Sequence, residues 1–391
     1  MAYKIIKLAK GREESLLRYH PWVFSGAIQH MDKDIEPGDA VTVTRHDGVV
    51  LATGHYQGGS IAVKVLDFAD TTIDLEFYRK RLISALNLRT ALKLMREDNN
   101  AFRLIHGEGD FIPGLVIDVY GDTAVMQAHS TGIHKARHLI AEALLSINSP
   151  VSNIYYKSET TLIDTDEETS GYLAGKFTTD TAIENGLKFH VDWLRGQKTG
   201  FFVDQRENRR LLEQYSAGRR VLNMFCYTGG FSFYALRGGA QLVHSVDSSA
   251  KAVSLTTANI ALNFPDTQRH EAFTEDAFRF IENMEYGAYD LVILDPPAFA
   301  KRKSALHNAL VGYRKLNTAA LKKMPSGSVL FTFSCSQNVS REQFRLAVFS
   351  AAAAAGRRVR ILHQLSQPAD HPISIYHPEG EYLKGLVLWV E

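Results

Sequence analysis

The stretch Val221-Leu222-Asn223-Met224-Phe225-Cys226-Tyr227-Thr228-Gly229-Gly230-Phe231-Ser232 passes from a short apolar strand, through a glycine pair, into a helix. Glycines in such a turn let the backbone come close to a ligand. The same alternation continues to the C-terminus. Leu242 to Val246 leads into Ala250 to Leu262, and His270 to Phe273 into Ala277 to Glu282. Leu291 to Leu294 precedes Leu310 to Met324, and Val329 to Phe333 precedes Arg341 to Ala355. Two last strands are expected at Val359 to Gln364 and Gly385 to Val390. Alternating strands and helices predict an α/β, Rossmann-like doubly wound sheet, mostly parallel, with ligands at the carboxyl ends of its strands. This domain is expected over 186–391, entered by the strand-like Leu187-Lys188-Phe189-His190-Val191.

Upstream the pattern differs. Residues 1–70 read as short strands punctuated by Pro37-Gly38-Asp39 and His46-Asp47-Gly48, with strand formers at Val41 to Thr44, Val49 to Thr53 and Ser60 to Leu66. A small closed or half-closed β-barrel follows. Residues 72–185 predict a central α+β domain: a helix over Asp74 to Met95 and strands at Ala101 to Ile105, Gly114 to Tyr120 and Thr123 to Ala128. A second helix is expected over His134 to Leu145, then a strand at Asn153 to Tyr156.

Composition narrows the class. The 391 residues are 45% hydrophobic and 22% charged, which describes a folded globular chain. No apolar run approaches the roughly 18 residues of a transmembrane helix, and the N-terminus lacks a signal peptide's apolar core. Two cysteines, Cys226 and Cys335, are too few for a disulfide framework or a cysteine-rich zinc site. The expectation is therefore a cytoplasmic protein with no membrane partner and no metal. The net charge of +1 neither demands nor forbids a nucleic-acid partner, so RNA binding would need local basic patches. Arg209-Arg210, Arg219-Arg220, Lys301-Arg302-Lys303 and Arg357-Arg358 are candidates, although such pairs also serve as solvated helix ends.

Asp247 ends the second strand, where an acidic residue can accept hydrogen bonds from both ribose hydroxyls of an adenosine. It can equally cap the next helix, as can Ser248 and Ser249. Glu275-Asp276-Ala277 follows the third strand, where a carboxylate can receive the adenine amino group or cap the next helix. The pyrophosphate fingerprint G-x-G-x-x-G is absent, and S-adenosylmethionine, which has no phosphate, does not need it. The fourth strand runs into Asp295-Pro296-Pro297-Ala298-Phe299. Proline fixes φ and removes a donor, so this carboxylate precedes a stiff platform suited to the edge of a planar base.

Cys335 ends the fifth strand, within Phe333-Ser334-Cys335-Ser336-Gln337, on the ligand side of the sheet. Alone it would read as a small core residue. Beside Asp295 it reads as a nucleophile. Cytosine C5 becomes nucleophilic only after something adds at C6, and a thiolate does this. Asp295 would stabilise the adduct by hydrogen bonding or protonation at N3. Cys226 is read as packing in the glycine loop.

The run Gln197 to Arg209, Asn223 to Ser232, Asp295 to Lys301 and Ser334-Cys335-Ser336 together resemble the bacterial 23S rRNA 5-methylcytosine methyltransferase family. Arg18-Tyr19-His20-Pro21-Trp22-Val23-Phe24-Ser25-Gly26 resembles the opening of that family's PUA domain, a small RNA-binding β-barrel. The resemblance implies S-adenosyl-L-methionine as cofactor and 23S rRNA as partner, and it leaves a homodimer open. It implies catalysis by Cys335 and Asp295. It implies cofactor contacts from Phe201, Gln205, Asn223, Phe225, Tyr227, Thr228, Gly229, Asp247, Ser248, Asn259, Asp276, Ala277, Asp295 and Pro296. RNA contacts would come from Arg18, Trp22, Lys198, Arg206, Arg209, Lys301 and Arg302. Other RNA cytosine-C5 methyltransferases carry Pro-Cys after the fourth strand. Here Pro296-Pro297-Ala298 has no thiol, so the base that removes the C5 proton is unassigned. A guanine methyltransferase on the same scaffold, or a non-catalytic RNA-binding protein, are the alternatives.

Overall fold

The computed structural model describes residues 3–162, 168–300 and 302–391. The chain forms two compact units: Met1–Gly186 with Val191–Asp204 and Ala369–Gly380, and Leu187–His190 with Gln205–Pro368 and Glu381–Glu391.

The first unit opens with β1 (Lys4–Leu8), α1 (Glu14–Leu17), β2 (Trp22–Phe24), β3 (Ile28–Met31), β4 (Ala40–Thr44), β5 (Val50–Tyr56) and β6 (Ile61–Asp67). Their sheet runs β2-β6-β5-β4-β1-β3. Alternate residues point to one side, and Ile6, Leu8, Val41, Val43, Val63 and Val65 make its core. Register shifts in β1–β3, β2–β6, β4–β5 and β5–β6 bend it into a curl whose edge strands, β2 and β3, are not neighbours. Of the two forms expected, this is the half-closed one.

Further on lie α2 (Leu75–Ala91), β7 (Ala101–His106), β8 (Leu115–Tyr120), β9 (Thr123–Ala128), α3 (Thr131–Lys135), α4 (Arg137–Leu145), β10 (Asn153–Lys157), β11 (Ser170–Ala174) and β12 (Thr181–Glu184). The sheet order is β11-β10-β9-β8-β7. Asp74 starts α2 by accepting from the Phe77 amide. The one helix expected over His134 to Leu145 is two, joined at Ala136. It begins earlier because the Ser130 hydroxyl caps α3. Arg89 on α2 is wholly buried, and its guanidinium donates to both carboxylate oxygens of Asp110 (2.5 and 2.8 Å) and to the Asp370 carbonyl (2.7 Å). Removing one partner of such a fork would strand a buried charge.

The second unit comprises β13 (Leu187–His190), α5 (Arg206–Gln214), β14 (Arg220–Met224), α6 (Gly230–Arg237), β15 (Leu242–Asp247), α7 (Ala250–Asn263), β16 (His270–Thr274) and α8 (Ala277–Asn283). It continues with β17 (Leu291–Leu294), α9 (Leu306–Lys323), β18 (Ser328–Ser334), α10 (Arg341–Ala354), β19 (Val359–Leu365) and β20 (Lys384–Val390). The main sheet is ordered β16-β15-β14-β17-β18-β20-β19. Strands β14 to β18 are parallel, and β20 runs against both β18 and β19. Every residue of β17 and β18 is buried, as a sheet covered on both faces requires. The strand order turns back between β15-β14 and β17-β18, so the crevice of a doubly wound sheet opens at the ends of β14 and β17.

Candidate active site

Past β14 the backbone enters the left-handed region at Phe225 (φ 59°), Tyr227 (φ 48°) and Gly229 (φ 83°). For Phe225 and Tyr227 this costs on the order of 1–3 kcal/mol each. The loop is held in place by its neighbours. The Cys226 amide donates to the Val246 carbonyl (3.1 Å), and the Thr256 hydroxyl donates to the Tyr227 carbonyl (2.8 Å). Asn259, buried on α7, donates to the Thr228 carbonyl (3.2 Å) and accepts from the His190 amide (2.7 Å). A Cβ on Gly229 would lie 2.7 Å from the Thr256 methyl, so this position excludes larger residues.

The carboxylate of Asp247 accepts from two backbone amides, Tyr227 (3.0 Å) and Ser249 (2.9 Å). It thus ties the end of β15 to the glycine loop. Ser249 caps α7, which leaves Asp247 outside that role; Ser248 is exposed. Asp276 does cap α8, accepting from the Arg279 amide (3.0 Å), and Ala277 beside it is buried. Among the described residues, the buried Asn223 Oδ1 and Thr228 Oγ1 have no hydrogen-bond partner. Two unpaired buried polar atoms, one at the end of β14 and one in the turn after it, carry a penalty that a bound polar ligand would relieve. With the pinned carboxylate and the tight glycine loop, they fit an amino- and hydroxyl-bearing ligand without phosphate, as S-adenosylmethionine is.

Beside this loop, at the end of β17, stands Asp295. Gln205 Nε2 donates to its Oδ2 (3.0 Å), and Asn208 Nδ2 donates to Gln205 Oε1 (2.6 Å). Gln205 and Asn208 are both buried, so they fix the carboxylate from behind. Pro296 is buried and Pro297 exposed. Strand β18 lies next to β17, and Cys335 follows it, half-buried, with Sγ 3.9 Å from the Pro296 carbonyl oxygen. Ser334 and Ser336 lie on either side of it in sequence and turn to Tyr313, whose hydroxyl is 2.9 Å from each of theirs. Burial raises the Tyr313 phenol above its ordinary range. Lys384, the first residue of β20, is 2% exposed and donates through Nζ to the Ser336 carbonyl (2.8 Å).

The remaining expected residues are spread more widely. Arg206 and Arg209 are buried; Arg206 Nε reaches Glu207 (3.2 Å), and the Arg209 chain packs where a Cβ of Gly230 would stand, at 3.1 Å. Phe201, in the first unit, is buried, and its carbonyl accepts from the Tyr120 hydroxyl (3.3 Å). Lys198 is exposed. Arg18 is exposed and pairs with Glu14 (2.5 Å), while Trp22 is half-buried, its indole donating to Glu108 (2.9 Å). Arg302 is exposed, and Lys301 lies outside the described residues. Arg357 serves a helix end, donating to the Leu321 and Met324 carbonyls. Lys384, Asn208 and Tyr313 were not anticipated. For Lys384 a signal existed: a lysine entering the apolar run Leu383 to Val390 is out of pattern. Among the described residues there is no cluster of three or more potential metal ligands, and no helix is long and apolar enough to cross a membrane.

The fold and the loop define an S-adenosylmethionine-dependent methyltransferase. Residues 164–372 match the family described by that name, and residues 6–68 match the PUA-like domain. The fold is shared, at TM-score 0.86 and 22% identity over 99% of this chain and 100% of the other, with the crystal structure of SMU.776 complexed with SAH. Ribosomal RNA large subunit methyltransferase I of Aeromonas hydrophila is 42% identical over 392 residues, covering 98% of each chain. The protein of the same name from Aeromonas salmonicida is 41% identical over 391 residues, again 98% of each. The chain belongs to the ribosomal RNA large subunit methyltransferase I family.

Proposed function

We propose that this protein methylates C5 of a cytosine in large-subunit (23S) ribosomal RNA through a transient Cys335–C6 bond. The observation that carries the reading is the position of Cys335, with its Sγ against the Asp295-Pro296 loop at the ligand edge of the sheet. The names of the relatives support rRNA of the large subunit as the substrate.

Chemically, the Cys335 thiolate adds to C6, and the displaced electron pair moves to N3, which takes a proton through Asp295. Bound S-adenosylmethionine supplies the sulfonium methyl group that C5 attacks. Loss of the C5 proton then drives the thiolate off C6, the N3 proton returns, and Cys335 is regenerated. The chain's own work is to hold the thiol and the carboxylate in register. The Asn208–Gln205–Asp295 relay does this for the carboxylate. The loop around Asp247 is the cofactor's seat in this reading. The PUA-like segment contributes shape recognition of RNA, with phosphate contacts that weaken as salt rises. In this reading, 1–70 takes the RNA and 186–391 the cofactor and the base, with 72–185 a separate α+β part.

The test is restoration of the missing methyl group. rRNA from a strain lacking the enzyme is treated with purified protein and mapped by mass spectrometry. Methylation at a cytosine C5 is expected. Methylation at a guanine nitrogen, undiminished in Cys335→Ser, would replace this reading with the guanine one.

A further inference from the structure

We infer that Lys384 is a positioning residue for Cys335, its ammonium held beside the end of β18 so that the neighbouring thiol is kept ionised and ready to add to a base. The inference rests on the nucleophilic reading of Cys335.

The geometry places Lys384 against the strand end that carries Cys335. In the antiparallel β18–β20 pair, Lys384 stands opposite Ser334, while its Nζ donates to the Ser336 carbonyl two residues on. The side chain therefore runs along the backbone that carries Cys335. It is almost wholly buried, a rare setting for lysine without a compensating charge. A neutral carbonyl supplies only part of that compensation.

The charged and titratable groups acting on Lys384 are Glu381, Cys335 and Arg341. Glu381 is already bound by Arg341 through Nε (3.1 Å) and Nη2 (2.5 Å). Burial pulls the Lys384 ammonium down to about 8, with Glu381 and Cys335 opposing the fall. Attraction between two charges is mutual: a thiolate that favours the ammonium is favoured by it. Thiol plus amine and thiolate plus ammonium contain the same atoms, so the pair needs no other reactant.

A purely structural lysine would only satisfy the Ser336 carbonyl. The distinguishing measurement is the pH profile of Cys335 alkylation by iodoacetamide in the full-length protein, read by peptide mass spectrometry. Cys226 is the internal reference, because burial pushes its thiol up to about 12. Lys384→Gln keeps a hydrogen-bond donor without the charge. It is expected to raise the midpoint by about one pH unit and to slow alkylation at pH 7 about tenfold. Lys384→Arg should retain most of the wild-type rate. An unchanged midpoint in Lys384→Gln, with S-adenosylmethionine affinity intact, overturns the inference. If the variants do not fold, the wild-type profile still decides: a midpoint below the ordinary thiol value of about 8.5 supports the inference, and one at or above it overturns it. Loss of the nucleophilic reading would appear separately, as full methyl transfer by Cys335→Ser.

Discussion

The chain's two cysteines stand at the same edge of one sheet and live in opposite surroundings. Cys226 follows β14. It is buried, lies 3.8 Å from the Thr256 hydroxyl, and is pushed up to about 12 by burial first and by the Asp247 charge second. Cys335 follows β18, half-exposed, against the Pro296 carbonyl and in electrostatic reach of a buried lysine. One thiol has a carboxylate for a neighbour, the other a cation. Residue type and strand-end position are shared, so the neighbours separate a packing residue from a candidate nucleophile.

The strongest way to break this comparison is to exchange the sulfurs one at a time. Cys335→Ser should lower methyl transfer to rRNA by on the order of 10⁴-fold, whereas Cys226→Ser should stay within about threefold, measured by labelled-methyl incorporation. Equal losses would mean that both cysteines are structural. Next in size is the cofactor side. Asp247→Ala should weaken S-adenosylmethionine binding roughly 10- to 100-fold by calorimetry, since a charged acceptor is lost from the loop. It should leave the alkylation rate of Cys335 unchanged.

A smaller effect sharpens the substrate side. Asn208→Ala should lower the turnover number about tenfold with little change in S-adenosylmethionine affinity, because it frees Gln205 and lets Asp295 drift. The smallest effect is on stability. With the Lys384 ammonium lowered to about 8 in the fold and near its ordinary value of about 10.4 when unfolded, the unfolded chain binds more protons between those values. Wild-type stability therefore gains from this residue as pH rises from about 8 to 10.4. The melting-temperature difference between wild type and Lys384→Gln should shift by a few degrees in favour of wild type over that window. A flat difference would contradict the buried-cation picture.

Much of the second unit was legible because its signals are local. Apolar strands of parallel sheets are continuous runs, and the turns of β14 and β17 carry Gly229-Gly230 and Pro296-Pro297 in plain view. Less legible features depend on distant partners. Lys384 meets the Cys335 segment only through the β18–β20 register. Arg89 binds Asp370 across 281 residues, which is how Ala369–Gly380 joins the first unit. Helix α5 is not among the elements expected from the sequence, where Arg209-Arg210 reads as a basic pair for RNA or a solvated helix end, yet Arg206, Asn208 and Arg209 are buried. At the N-terminus, β1 to β3 have five, three and four residues, too short for periodicity to reveal. At the acidic strand ends, Asp276 caps α8, whereas Asp247 accepts from the Tyr227 and Ser249 amides.

The central claim, a covalent bond from Cys335 to the base, is met most directly by trapping it. Large-subunit rRNA transcribed with 5-fluorocytidine cannot release the C5 substituent as a proton, so an adduct formed during turnover should survive denaturation. Wild-type protein and Cys226→Ser, given S-adenosylmethionine, are predicted to migrate as an RNA-linked band whose peptide maps to Cys335, and Cys335→Ser is predicted to give none. No band from active wild-type protein, or a band that persists in Cys335→Ser, would contradict the account.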